Sequence, residues 1–188
     1  MRLNDVKIEI SQQPIQEIQV DAYLLPYFSH HVNPGEERWA VELSGAKGVR
    51  NFIEYRLRRQ INNDPLHLGH VLVVPSGGGK SKYIANLVCR CTTDDAKSKR
   101  DHKDCNQEAV ASAIRRSLIR FLAISNQYDI KTIAMPALCV ADGFLAVDFF
   151  NIVKDVLNGF SGEHSIEEIY ITADDEVQLM RYLHILEA

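Results

Sequence analysis

Cysteine is scarce in this chain, tryptophan scarcer still, and no apolar run approaches the length of a membrane span. The four cysteines (Cys89, Cys91, Cys105 and Cys139) are too few and too scattered for a disulfide framework. They read as reduced thiols in a cytoplasmic protein. A basic excess is also missing. With a net charge of -4, general binding to a nucleic-acid backbone is not expected. Met1-Arg-Leu-Asn-Asp5 has no signal-peptide core, which agrees with a cytoplasmic location and no membrane partner. Repeats and low-complexity tracts are absent as well. What is present is ordinary for a globular chain: 46% hydrophobic and 24% charged residues over 188 positions, read as one domain spanning 1–188.

Apolar spacing sets the expected elements. Val6-Lys-Ile-Glu-Ile10 alternates with period two and predicts a half-exposed strand. Ser11-Gln-Gln-Pro14 breaks it, and Ile15–Val20 reads as a short turn leading inward. Ala22–Phe28 is almost entirely apolar, as a strand covered on both faces should be. Trp39, Leu43, Phe52, Ile53 and Leu57 recur at helical intervals and predict two helices broken between Gly45 and Gly48. His70–Val74 and Tyr83–Cys89 read as strands, and Thr92–Asn106 as a polar loop. Long amphipathic patterns predict helices over Gln107–Ser125 and Ala146–Leu157, the second with Val147, Phe150, Val153 and Leu157 facing inward. Between them, Thr132–Met135 is a short buried strand emptying through Pro136 into a loop. A strand over Ile166–Thr172 and a helix over Glu176–Leu186 close the chain. Strands alternating with helices call for a three-layer α/β/α sandwich with a mixed central sheet.

Several motifs invite chemistry and do not carry it. Ser76-Gly-Gly-Gly-Lys-Ser81 suggests a phosphate-binding P-loop, but Val74 stands where the leading glycine is required. Beyond Ser81 the chain enters the β-type run Tyr83-Ile-Ala-Asn-Leu-Val88, so no helix N-terminus completes a cradle. The glycines read instead as a hairpin turn. Cys89, Cys91, His102 and Cys105 could supply four zinc ligands, yet one residue between the first two is not the spacing of a structural site. Two strand cysteines and a solvated loop is the plainer reading. Cys139 could be activated by a nearby helix N-terminus, but no histidine or acid is identifiably paired with it. His30-His31 reads as solvated loop, Tyr27 and Phe28 as core, and the arginines at 56, 58, 59, 115 and 116 as outer helix faces.

The order of these elements resembles a macrodomain, the ADP-ribose-binding module. Three segments carry the likeness. They are Lys7-Ile-Glu-Ile10 with Val20-Asp-Ala22, the stretch Leu68–Val88 with its glycine and Lys82-Tyr-Ile84, and Ile133-Ala-Met-Pro-Ala-Leu138. Together they span almost the whole chain. The resemblance implies a macrodomain-like fold and a ligand cleft formed by two loops. On the first loop it points to His31, Asn33 and Gly35. On the second it points to Ala137, Cys139, Val140, Asp142, Gly143 and Phe144.

At the positions the family uses most, this chain has other residues. Gln13-Pro-Ile15 replaces a Gly-Asp-Ile, Leu25-Pro-Tyr-Phe28 replaces an Asn-Ala-Ala-Asn, and Cys139-Val-Ala-Asp-Gly143 replaces a Gly-Thr-Gly turn. Glycine lets a backbone approach a diphosphate, whereas Val140 and Ala141 hold it away and Asp142 adds a like charge. The expected function is therefore a module with an altered cleft, taking a nucleotide or ADP-ribose-related molecule with weakened affinity. The alternatives are a scaffold or interaction domain, including self-association into a homo-oligomer, and, last, an ADP-ribosyl hydrolase. No cofactor, metal or catalytic residue is implied.

Overall fold

The structure, a computed structural model, describes residues 1–28, 67–76, 80–90 and 106–187. The two helices expected between residues 36 and 61 lie outside the described residues, as does most of the expected polar loop.

Among the described residues, seven strands form one sheet. They are β1 (Arg2–Leu3), β2 (Val6–Ser11), β3 (Ala22–Phe28), β4 (Val71–Pro75), β5 (Tyr83–Arg90), β6 (Thr132–Pro136) and β7 (Glu168–Thr172), in the order β1-β2-β7-β6-β3-β5-β4. The five inner strands β2, β7, β6, β3 and β5 are parallel, and only the edge strands β1 and β4 run antiparallel to their neighbours. All five parallel strands therefore end at the same edge. Pro75 closes β4 at the sheet margin, where a missing N–H leaves no inner ladder broken.

Among the described residues, three α-helices cover one face: α1 (Gln107–Ser125), α2 (Ala146–Gly159) and α3 (Glu176–Glu187). Their inward stripes join Ile8, Leu24, Leu87, Ile133 and Ile171 in the main core, with Phe121, Phe149 and Phe150 fully buried at its centre. Val147 is an exception to the expected stripe. It is 43% exposed, and Phe149 and Ile152 occupy inward positions instead, so the stripe begins at Ala146 and skips the next residue. α1 starts on Asn106, whose side chain accepts from the Ala109 amide at 2.8 Å, an N-cap built from the residue type that serves best there.

A second, smaller core lies on the other face of the sheet, formed by Tyr23, Leu25, Val74, Ile84 and Val88 with Ile15, Ile18 and Val20. The 3-10 turn Ile15–Glu17 is fastened there by the buried Tyr23 hydroxyl, which donates to the Ile18 carbonyl at 2.8 Å. Leu25 and Tyr23 on one side and Leu24 and Ala22 on the other explain why β3 reads as continuously apolar. Both of its faces are interior.

The hairpin reading of the glycine-rich stretch agrees with the pairing. β4 and β5 are antiparallel, the Ser76 amide donates to the Lys82 carbonyl at 2.9 Å, and strand structure resumes within two residues of Ser81. Gly69 precedes β4 at φ 89°, and a Cβ there would come within 3.0 Å of Arg116 on α1, so only glycine fits. β7 starts two residues later than expected. Ile166 is buried on the approach, while the Glu167 and Glu168 amides both donate to the Lys131 carbonyl before the regular β6–β7 ladder begins.

Candidate functional site

The shared C-terminal edge of the parallel strands is where backbone leaves the sheet and where a ligand crevice can form. The loop that leaves this edge after β6 is described in full. Pro136 ends the strand, and Ala137 and Leu138 lead to Cys139, which takes a left-handed backbone (φ 62°). A 3-10 turn over Val140–Asp142 comes next, then Gly143, also left-handed at φ 92°, then Phe144 and Leu145. α2 begins at Ala146 with Leu145 as its N-cap and no side-chain cap hydrogen bond.

The turn closes largely on itself. The Val140 amide donates to the Ala137 carbonyl at 3.2 Å, Gly143 to Val140 at 3.0 Å, and Phe144 to Cys139 at 3.1 Å. A diphosphate cradle needs outward-facing amides, and three of those in this segment are directed at its own carbonyls. The Gln107 side chain, at the start of α1, donates to the Gly143 carbonyl at 3.2 Å and ties the turn to the neighbouring helix. That tie spans 36 residues of sequence, and a lone glutamine carries no signal of it.

Of the second-loop positions singled out from sequence, Ala137, Cys139 and Phe144 are buried and belong to the main core. Val140 is half-buried against that core, Gly143 is exposed, and Asp142 contributes its backbone to the 3-10 turn. The structure thus brings these six residues together in one turn, with three of the side chains facing inward. His31, Asn33 and Gly35 of the first loop lie outside the described residues, so the two halves of the expected cleft are not seen together.

The turn also meets β5. The Cys139 thiol donates to the Cys89 carbonyl at 3.6 Å, and the two sulfur atoms are 3.4 Å apart, both buried. Sequence could not place this pair, because β3 lies between β5 and β6 in the sheet. Among the described residues no cluster of His, Cys, Asp and Glu could hold a metal, and Cys91, His102 and Cys105 of the zinc reading lie outside them. Among the described residues no helix is long and apolar enough to cross a membrane.

The opposite edge of the sheet is held by Asp21. Its carboxylate accepts the amides of Lys131 and Thr132 at 2.9 and 3.0 Å and the Thr132 hydroxyl at 3.2 Å, and pairs with Lys82 at 2.8 Å. Burial opposes its ionisation more than any other single influence. The Lys82 ammonium and the two backbone amides together outweigh that burial, and the carboxyl sits below its ordinary value. Asp21 joins the starts of β3, β5 and β6, so its role is architectural.

No family model matches the chain, and no curated protein matches it. Solved structures do. The Oceanobacillus iheyensis macrodomain with MES bound is similar over 100% of this chain and 94% of its own, at TM-score 0.75 and 12% identity. The same macrodomain with ADP gives 0.74 at 12% identity, covering 100% of this chain and 93% of that one. The Trypanosoma brucei macrodomain in complex with ADP-ribose gives 0.61 at 13% identity, over 93% of this chain and 67% of that one. The chain has the macrodomain fold, an α/β/α architecture around a mixed sheet.

Proposed function

We propose that this protein is a non-catalytic binding module, with residues 1–188 as one domain. It takes a nucleotide or an ADP-ribose-related small molecule at the C-terminal edge of its parallel strands, with weakened affinity. The observation that carries this reading is the junction after β6. There the chain leaves the sheet at Pro136, turns through Cys139–Gly143 and enters α2 at an N-terminus that Leu145 cannot cap. First-turn amides without a side-chain acceptor attract an anionic group through their N–H dipoles. The likeness to macrodomains whose structures hold ADP and ADP-ribose supports the ligand class.

Weak affinity is expected from the same turn. The amides of Val140, Gly143 and Phe144 are already bonded, Val140 and Ala141 stand where a close approach needs glycine, and Asp148 in the first turn of α2 repels a second negative charge. Leu25, where the resemblance would place polar contacts to ribose, is buried in the second core. That substitution speaks against hydrolysis. The second reading, an interaction domain, is favoured by Leu145 and Val147, exposed beside the turn at 54% and 43%.

Titration calorimetry with ADP-ribose, ADP and inorganic phosphate tests the proposal. Binding of ADP-ribose with a Kd of roughly 0.1–1 mM, about 4 to 5.5 kcal/mol, is expected. Absence of saturable heat at millimolar ligand, with no amide shift changes in residues 137–147, would sink it in favour of the interaction domain.

A further inference from the structure

We propose that Cys89 and Cys139 form an oxidisable dithiol site, at which a peroxide joins the end of β5 to the turn after β6 through a reversible disulfide. The two sulfur atoms are 3.4 Å apart, and the Cys139 thiol is already directed at the Cys89 residue through its hydrogen bond to that carbonyl. Reaching the ~2.0 Å of a bond needs roughly 1.4 Å of closure. The partner on one side is a short turn closed by three backbone hydrogen bonds, not an element locked in the ladder. Cys139 is 5% exposed and Cys89 not at all, so an oxidant arriving from the loop edge meets Cys139 first.

The chemistry balances with one peroxide. The Cys139 sulfur, as thiolate, attacks the O–O bond. An S–O bond forms, the O–O bond breaks, and the departing hydroxide leaves as water with the proton the thiol gave up. The Cys89 sulfur then attacks the sulfenic sulfur of Cys139, and hydroxide leaves with the Cys89 proton as a second water. Two thiols have lost two electrons, and hydrogen peroxide has been reduced to two waters. A dithiol reductant reverses the step by thiol–disulfide exchange. The dithiol chemistry does not depend on a ligand at the turn.

The test uses the full chain with Cys91→Ser and Cys105→Ser, leaving Cys89 and Cys139 as its thiols. After one equivalent of hydrogen peroxide, thiol titration should show both thiols lost and restored by dithiothreitol. A non-reducing digest should contain one linked peptide joining positions 89 and 139, and Tm should rise by several degrees in the oxidised form. Adding Cys139→Ser should leave Cys89 reduced in the folded protein under the same treatment. The proposal is overturned if both thiols persist while the urea-unfolded protein oxidises, or if the loss comes from intermolecular bridges or sulfinic acid. Should Cys139→Ser fail to fold, the peptide map of the double variant decides alone.

Discussion

Asp21 illustrates how much one side chain can hold. It accepts two backbone amides and a hydroxyl from the start of β6 while pairing with Lys82 at the start of β5. Replacing it by Asn keeps the volume but loses the charge, and a loss of about 2 kcal/mol is expected by urea denaturation at pH 7. The carboxyl is depressed in the folded state, so its contribution is complete above the unfolded value of 3.8 and is lost as pH falls through the lower folded value. Stability of the native chain should therefore fall below about pH 4 more steeply than that of Asp21→Asn, and parallel curves would show that the pair is not felt. At the candidate site, Val140→Gly combined with Ala141→Gly should tighten ADP-ribose binding by up to about tenfold, or 1.4 kcal/mol, in calorimetry. It does so by removing the β-branched side chain and the Cβ beside the turn.

Among the elements, α1 is the best test of how packing holds the fold. Its N-cap is a single side chain, and Asn106→Ala should cost about 1 kcal/mol in thermal or urea unfolding without altering the fold. Its buried face is far more demanding. Phe121 is fully buried among residues of α1, α2 and the sheet, so Phe121→Ala should cost about 3–5 kcal/mol, enough to approach the total stability of a domain this size. Both helix limits and the strand β6 were readable from spacing because amphipathic periodicity reports directly on one-sided burial. The displaced stripe of α2 was not, since Val147 and Phe149 are equally good apolar candidates and only the approach of β6 and α1 decides which faces inward. Ser117 and Ser125, polar residues on the buried face of α1, were invisible for a similar reason. Their partners, the His70 carbonyl and the Leu122 carbonyl with the Ser165 amide, come partly from distant elements.

For the molecule as a whole, ligand binding and stability are linked. With ADP-ribose at ten times its Kd, folding should gain about 1.4 kcal/mol, a Tm rise of roughly 3–5 °C for a chain of this length. Equal melting with and without ligand at that concentration would contradict the binding reading. Local sequence was enough for the order and kind of strands β2 to β7 and the three described α-helices, the hairpin in place of a P-loop, and the unusual residues in the turn after β6, but not for the two-residue strand β1. Each of these rests on periodicity and backbone chemistry, which neighbouring residues specify. It took the assembled fold to show that the turn closes onto its own carbonyls and that Ala137, Cys139 and Phe144 point into the core. The same holds for Gln107 clasping Gly143 and for Cys139 meeting Cys89. Those contacts join segments up to 50 positions apart, and their partners exist only once parallel pairing has brought β5, β3 and β6 side by side.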